Sequence, residues 1–178
     1  MKCLRMNERI LQTSDWAIIA EQVTKHTLPI FSIPFNTRLK SEIISSLFEI
    51  EAAKYFQSQG YNVKNATTDR EPDLFFEDTQ LPLEIKVTRR KKYLKWMGNK
   101  VSKQCAQYVL VSWEQDDSNS ISYYITSTFL NRKDWSDDEY SYNASFLSWK
   151  SLENRKDIVG TIDRPVIIKN TESKYSLT

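Results

Sequence analysis

A chain of 178 residues, about 40% apolar and 27% charged, is long enough to bury a hydrophobic core and has the composition of an ordinary globular protein. Its formal net charge of +2 is too small to announce a nucleic-acid partner, and no apolar run reaches the roughly 18 residues of a membrane span. One histidine, two distant cysteines and three isolated glycines exclude zinc clusters, disulfide frameworks and a Gly-rich phosphate loop, leaving carboxylates, lysines and backbone to carry any chemistry.

The N-terminal MKCLRMNERILQTSDW lacks an apolar core followed by a small-residue cleavage site, so the default location is the cytoplasm. Residues 14–24 read as a short helix, capped by Ser14 or Asp15, with Trp16, Ile18, Ile19 and Val23 on its apolar side. The prolines of LPIFSIPFN end it. Residues 40–59 carry a second helical pattern through Ile43, Ile44, Leu47, Phe48, Tyr55 and Phe56, and Gly60 stops it. The period then changes, and residues 61–63, 74–76 and 83–87 read as short strands. KWMGNKVSKQCAQ, residues 95–107, then reads as a helix, starting from about residue 100 if Gly98 breaks it, followed by a buried strand YVLVSW and an alternating strand ISYYITSTF. An acidic loop leads to a weaker helix around residues 146–154, and PVIIK reads as a last strand. The order predicts one α/β domain built on a mixed central β-sheet flanked by helices.

The chemistry concentrates in EPDLFFEDTQLPLEIKVTRRKK, residues 71–92. Side chains alternate along a strand, so Glu84 and Lys86 share one face while Leu83, Ile85 and Val87 share the other. An antiparallel neighbour at 74–76 brings Asp73 to the polar face. Two converging carboxylates repel, and a hard divalent ion such as Mg²⁺ relieves the conflict. Lys86 beside it can orient or deprotonate a water, or neutralise a phosphate, which describes metal-assisted phosphodiester hydrolysis. The bland alternative is a solvated ion pair on an edge strand.

Pro72–Asp73, a spacer and Glu84–Ile85–Lys86 resemble the motif of the PD-(D/E)xK nuclease superfamily, which includes type II restriction endonucleases and archaeal Holliday-junction resolvases. The resemblance covers roughly residues 40–113 and implies a restriction-endonuclease-like core in the order α-β-β-β-α-β, at about 38–128, with an N-terminal helical extension 1–37 and a C-terminal extension 129–178. It implies catalytic Asp73, Glu84 and Lys86, with Asp73, Glu84 and the Ile85 carbonyl as ligands of Mg²⁺, for which Mn²⁺ can substitute. It also implies a further catalytic and metal-binding glutamate from the preceding helix. Spacing from Gly60 in similar members selects Glu49, whereas a helical wheel puts Glu51 in the middle of the apolar face. Gln104 and Tyr108 match a Gln-x-x-x-Tyr pattern of some members.

The basic run Arg89, Arg90, Lys91, Lys92 and Lys95 is either a solvated face or a track for a DNA backbone. The resulting expectation is a Mg²⁺-dependent DNA endonuclease of type II restriction-endonuclease character. A symmetric homodimer is expected, because one such site cuts one strand. The alternatives are a junction resolvase and, in another class, a catalytically inactive nucleic-acid-binding module.

Overall fold

The computed structural model describes residues 13–31, 36–68, 71–90, 95–99, 106–117, 120–137, 144–148, 152, 158–161 and 166–168. Two helices open the described chain, α1 (Thr13–Phe31) and α2 (Thr37–Ser58). Helix α1 runs past the expected stop and takes Pro29 into its last turn. A proline there forfeits one backbone bond but keeps a helical φ. The buried hydroxyls of Thr24 and Thr27 bond back to the carbonyls of Ala20 and Val23, at 2.8 and 3.1 Å, so neither is left as a buried orphan. No described helix is long and apolar enough to cross a membrane.

Asn36 caps α2, its side chain accepting from the Leu39 amide at 2.9 Å. The other end closes in a Schellman motif: Gly60 N–H donates to the Gln57 carbonyl and Tyr61 N–H to that of Phe56. Gly60 takes φ +87, a value that suits glycine. Because the Tyr61 amide is spent on the cap and its ring packs on Phe56 and Phe76, the first strand begins two residues later than the pattern suggested.

The strands are β1 (Val63–Asn65), β2 (Leu74–Phe76), β3 (Leu81–Arg89), β4 (Lys95–Asn99), β5 (Ala106–Gln115) and β6 (Ile121–Leu130), then β7 (Ser136–Asp137), β8 (Ala144–Ser148), β9 (Ile158–Thr161) and β10 (Val166–Ile168). β1, β2 and β3 form an antiparallel meander. β5 joins β3 in parallel, with Glu84 opposite Tyr108 and Lys86 opposite Leu110, and β6 pairs antiparallel with β5. Strands β9 and β10 share the outer edge of β6. The protein is thus α/β, with a mixed central sheet flanked by α1 and α2.

Two expected helices differ from what is observed. Residues 95–99, 106 and 107 are extended, and residues 100–105, where most of the second core helix was expected, lie outside the described residues. Residues 146–148 belong to β8, although Leu152 is helical and buried. The reason is pairing: β4, β8 and β7 form a small antiparallel sheet whose Trp96 and Leu147 pack against Tyr108, Leu110, Leu130 and Trp135. Short apolar runs satisfy either period, and a cross-strand partner settles the choice.

The central sheet therefore has helices on one face and the small sheet on the other. Trp16, Ile19, Val23, Ile44, Phe48 and Phe56 fill the helical side together with Leu83, Ile85, Val109 and Val111. The three described tryptophans after β3, Trp96, Trp113 and Trp135, are all buried, in keeping with a core role; Trp149 lies outside the described residues.

Candidate active site

β2 pairs with β3 only from Phe76 opposite Leu81 to Leu74 opposite Leu83. One step further, Pro72 has no N–H to offer Ile85, so this ladder cannot continue. The Asp73 carbonyl stays with the β1 side, accepting from the Ala66 amide at 3.2 Å. Its carboxylate swings across the gap, and Oδ2 accepts from the Ile85 amide at 2.7 Å. The Pro-Asp pair thus opens the sheet and places a carboxylate in the opening, on the side to which the Ile85 carbonyl also points.

β3 lies between β2 and β5, so Glu84 and Lys86 stand on an interior strand. The fully solvated reading does not fit: the Glu84 side chain is only 8% exposed, while Lys86 and Asp73 keep 21% and 20%. Lys86 Nζ bridges the two carboxylates, 2.6 Å from Glu84 Oε2 and 3.4 Å from Asp73 Oδ2. Burial by itself would lower the Lys86 pKa, but Asp73 and Glu84 outweigh it and hold the ammonium above its ordinary value. Glu84 is pushed up by burial, with Lys86 opposing and Asp73 adding to the rise.

A cleft of about 560 Å³ opens beside this trio. One wall is a single stripe of α2, carrying Arg38, Glu42, Ser45 and Glu49 at helical spacing; the floor is Asp73 and β3; β4 supplies Lys95 and Met97. Glu49 is half-buried in this wall, with Ser45 Oγ at 3.4 Å from its Oε1. Burial first, and then the Asp73 charge, raise its pKa to about 7.

Glu51 faces away. It is buried between the helices, 2.8 Å from Lys54 Nζ and 3.7 Å from His26 Nε2. The wheel was right about its burial, but the cover is α1 and not the cleft. Arg89 and Arg90 do not form one patch, since consecutive strand residues point to opposite faces. Arg89 reaches Thr37 Oγ1 at 3.2 Å, on the helical face, whereas Arg90 stacks 3.7 Å over the Tyr124 ring. Lys91 and Lys92 lie outside the described residues, as does Gln104. Tyr108 is buried beside Glu84, and its hydroxyl pKa is raised by burial and by the Glu84 and Asp73 charges. Arg38 and Met97 went unnoticed in the sequence; the signal for Arg38 was its four-residue spacing to Glu42 and eleven-residue spacing to Glu49.

Glu49 gives a testable pH dependence. Its folded-state pKa of about 7 exceeds the ordinary 4.5, so the native state holds the extra proton between those values and stability falls as pH rises through that window. The full shift would correspond to about 3 kcal/mol, and solvent screening through the open cleft reduces it to about 1–2 kcal/mol. Glu49→Gln is expected to remove this loss, becoming more stable than wild type by that amount at pH 8 but not at pH 4.5. Urea unfolding across this range checks it, and a pH-independent difference would contradict it.

Among the described residues, no three Asp, Glu, His or Cys side chains gather closely enough to hold a metal ion as they stand. What they make is an ammonium-bridged carboxylate pair beside a cleft, with a readily protonated glutamate on its wall. No protein-family model and no curated protein matches the chain.

Proposed function

We propose that the protein is a Mg²⁺-dependent DNA endonuclease with a restriction-endonuclease-like core. The observation that carries this reading is the broken β2–β3 ladder, which puts Asp73, Glu84, Lys86 and the Ile85 carbonyl at one opening on an interior strand. The order α2-β1-β2-β3 followed by a parallel β5 supports it. The donors are hard oxygens, and an ion that takes one or two carboxylates and keeps several waters suits them. Asp73, Glu84 and the Ile85 carbonyl would hold Mg²⁺, or Mn²⁺ in its place, with Glu49 assisting from the wall. Bound there, the metal would polarise a phosphoryl oxygen and acidify a water.

The chain's own residues supply the rest. As an ammonium, Lys86 neutralises a phosphate and orients a water; it becomes a base only once the carboxylate charge that holds its proton is taken up elsewhere. Glu49, with its pKa close to neutrality, can accept a proton near the cleft. One such site cuts one strand, so cutting both strands of a DNA would take two copies. A second reading has its own observation. The bridging ammonium already offsets one of the two carboxylate charges without a metal, as suits a catalytically inactive nucleic-acid-binding module.

The test is cleavage of plasmid, linear duplex and four-way-junction DNA by wild type and Asp73→Asn. Wild-type cutting is expected to require Mg²⁺ and to fall at least about a hundredfold in the near-isosteric variant, as loss of several kcal/mol of charge stabilisation implies. Equal cutting by both proteins would refute the reading. DNA binding by both, without cutting, would establish the binding module instead. Sequence-specific cutting of the linear duplex marks a restriction endonuclease, and preference for the junction marks a resolvase.

A further inference from the structure

Strand β4, paired along its length with β8, is anchored to the central sheet through Trp96. Trp96 is buried against Tyr108 and Leu110, and its Nε1 donates to the Val111 carbonyl at 3.0 Å. Alternation then turns its neighbours Lys95 and Met97 the other way, into the cleft. Met97 stays 65% exposed. Arg38 stands at the outer end of the α2 stripe, 90% exposed, and its partner among the described residues is the exposed Glu42. So exposed an i,i+4 pair is weak and yields readily to a phosphate.

Charge is spread unevenly along the cleft. Asp73, Lys86 and Glu49 line its inner end, and Arg38 with its partner Glu42, together with Lys95, line it further out. Eleven residues of α2 separate Arg38 from Glu49, a rise of about 16 Å. One nucleic-acid strand at about 3.4 Å per stacked nucleotide covers that span with roughly five residues, and with fewer when unstacked. A space of about 560 Å³ has the size of a drug-like ligand site and admits part of one strand but no duplex.

Resting on the nuclease reading above, we propose that the cleft takes a single unpaired DNA strand, its phosphates on Arg38 and Lys95 and a base or sugar against Met97, so that the substrate is DNA with a locally unpaired strand and not an intact duplex. Arg38 lies on α2 and Lys95 on β4, two different walls of the cleft, so they can grip a backbone from two sides. Met97 offers a soft, adaptable apolar surface that accepts any base.

Binding is measured by fluorescence anisotropy in EDTA, where nothing is cut, with a labelled 12-nucleotide single strand, the same sequence as a blunt duplex, and a duplex carrying a single-stranded flap. Single strand and flap are expected to bind at least about tenfold more tightly than the blunt duplex. Arg38→Ala with Lys95→Ala should weaken single-strand binding about tenfold and flatten the dependence of log K on log salt by about 0.7 per lost contact. Met97→Ala should weaken the single strand and spare the duplex. Far-UV circular dichroism confirms that these surface variants fold. Equal or tighter binding of the blunt duplex, or an unchanged salt slope in the double variant, overturns the proposal. The nuclease reading fails separately: a single-strand preference without Mg²⁺-dependent cutting would remove the enzyme and keep the strand site.

Discussion

Lys86→Met is expected to destabilise the protein by about 3–5 kcal/mol at pH 7.5, the usual penalty for removing one partner of a buried ion pair. The methionine fills the aliphatic volume of the lysine but leaves Asp73 and Glu84 facing each other without a counter-charge, with Glu84 nearly closed to water. Glu84, already pushed up by burial and by the Asp73 charge, loses the ammonium that opposed the rise, so its folded pKa lies further above the unfolded value. The loss is therefore full above that raised folded value and shrinks as pH falls through it toward the unfolded one. Urea unfolding at pH 7.5 and pH 5 reads this directly, the deficit being smaller at pH 5. Millimolar Mg²⁺ should restore part of the deficit in the variant, since a ligand at a hundred times its Kd contributes about 2.7 kcal/mol. A deficit below about 1 kcal/mol, equal at both pH values, would mean that the trio is solvated and that the carboxylates do not compete for one charge.

Phe56→Ala is expected to cost about 3–5 kcal/mol, the range for emptying a fully buried aromatic site. Phe56 is the common neighbour of four rings: Trp16 of α1 at 5.8 Å, Tyr55 at 5.3 Å, Tyr61 of the helix cap at 6.0 Å and Phe76 of β2 at 5.1 Å, each edge-on. One side chain thus joins both helices to the hairpin that carries Asp73. Its removal should loosen α2 over β2 and, with it, the approach of Glu49 to Asp73. Phe56→Leu keeps most of the volume and should cost only about 1 kcal/mol. Thermal or urea unfolding separates the two; an alanine variant within about 1 kcal/mol of wild type would show that the surrounding rings can close the gap.

Both effects bear on the same question. A largely buried ion trio is poor at stabilising a fold, because desolvation consumes most of its Coulomb energy. Well-packed apolar residues at Asp73, Glu84 and Lys86 would serve the sheet as well or better. Keeping charge on an interior strand is costly, and that cost is accounted for when the same residues bind a metal and a phosphate in the proposed reaction.

The amino-acid sequence alone determined that Asp73, Glu84 and Lys86 meet. Strand alternation puts Glu84 and Lys86 on one face, and a proline before Asp73 ends the ladder, both being properties of a few adjacent residues. It also determined α2, from its apolar period and the Gly60 stop, and the buried state of Glu51. Tertiary structure decided whatever depends on the element that covers a given face. Glu49 and Glu51 lie on one helix, and only the packing of α1 over Glu51 leaves Glu49 to the cleft. Arg89 and Arg90 are adjacent in the chain, yet Trp113 and Thr37 receive one while Tyr124 receives the other. The apolar runs of residues 95–99 and 144–148 suit helix or strand equally, and only their pairing with each other made them strands and brought Lys95 and Met97 to the mouth of the cleft. A local period records which residues share a face, whereas the partner for that face comes from residues far away in the chain, which no local pattern contains.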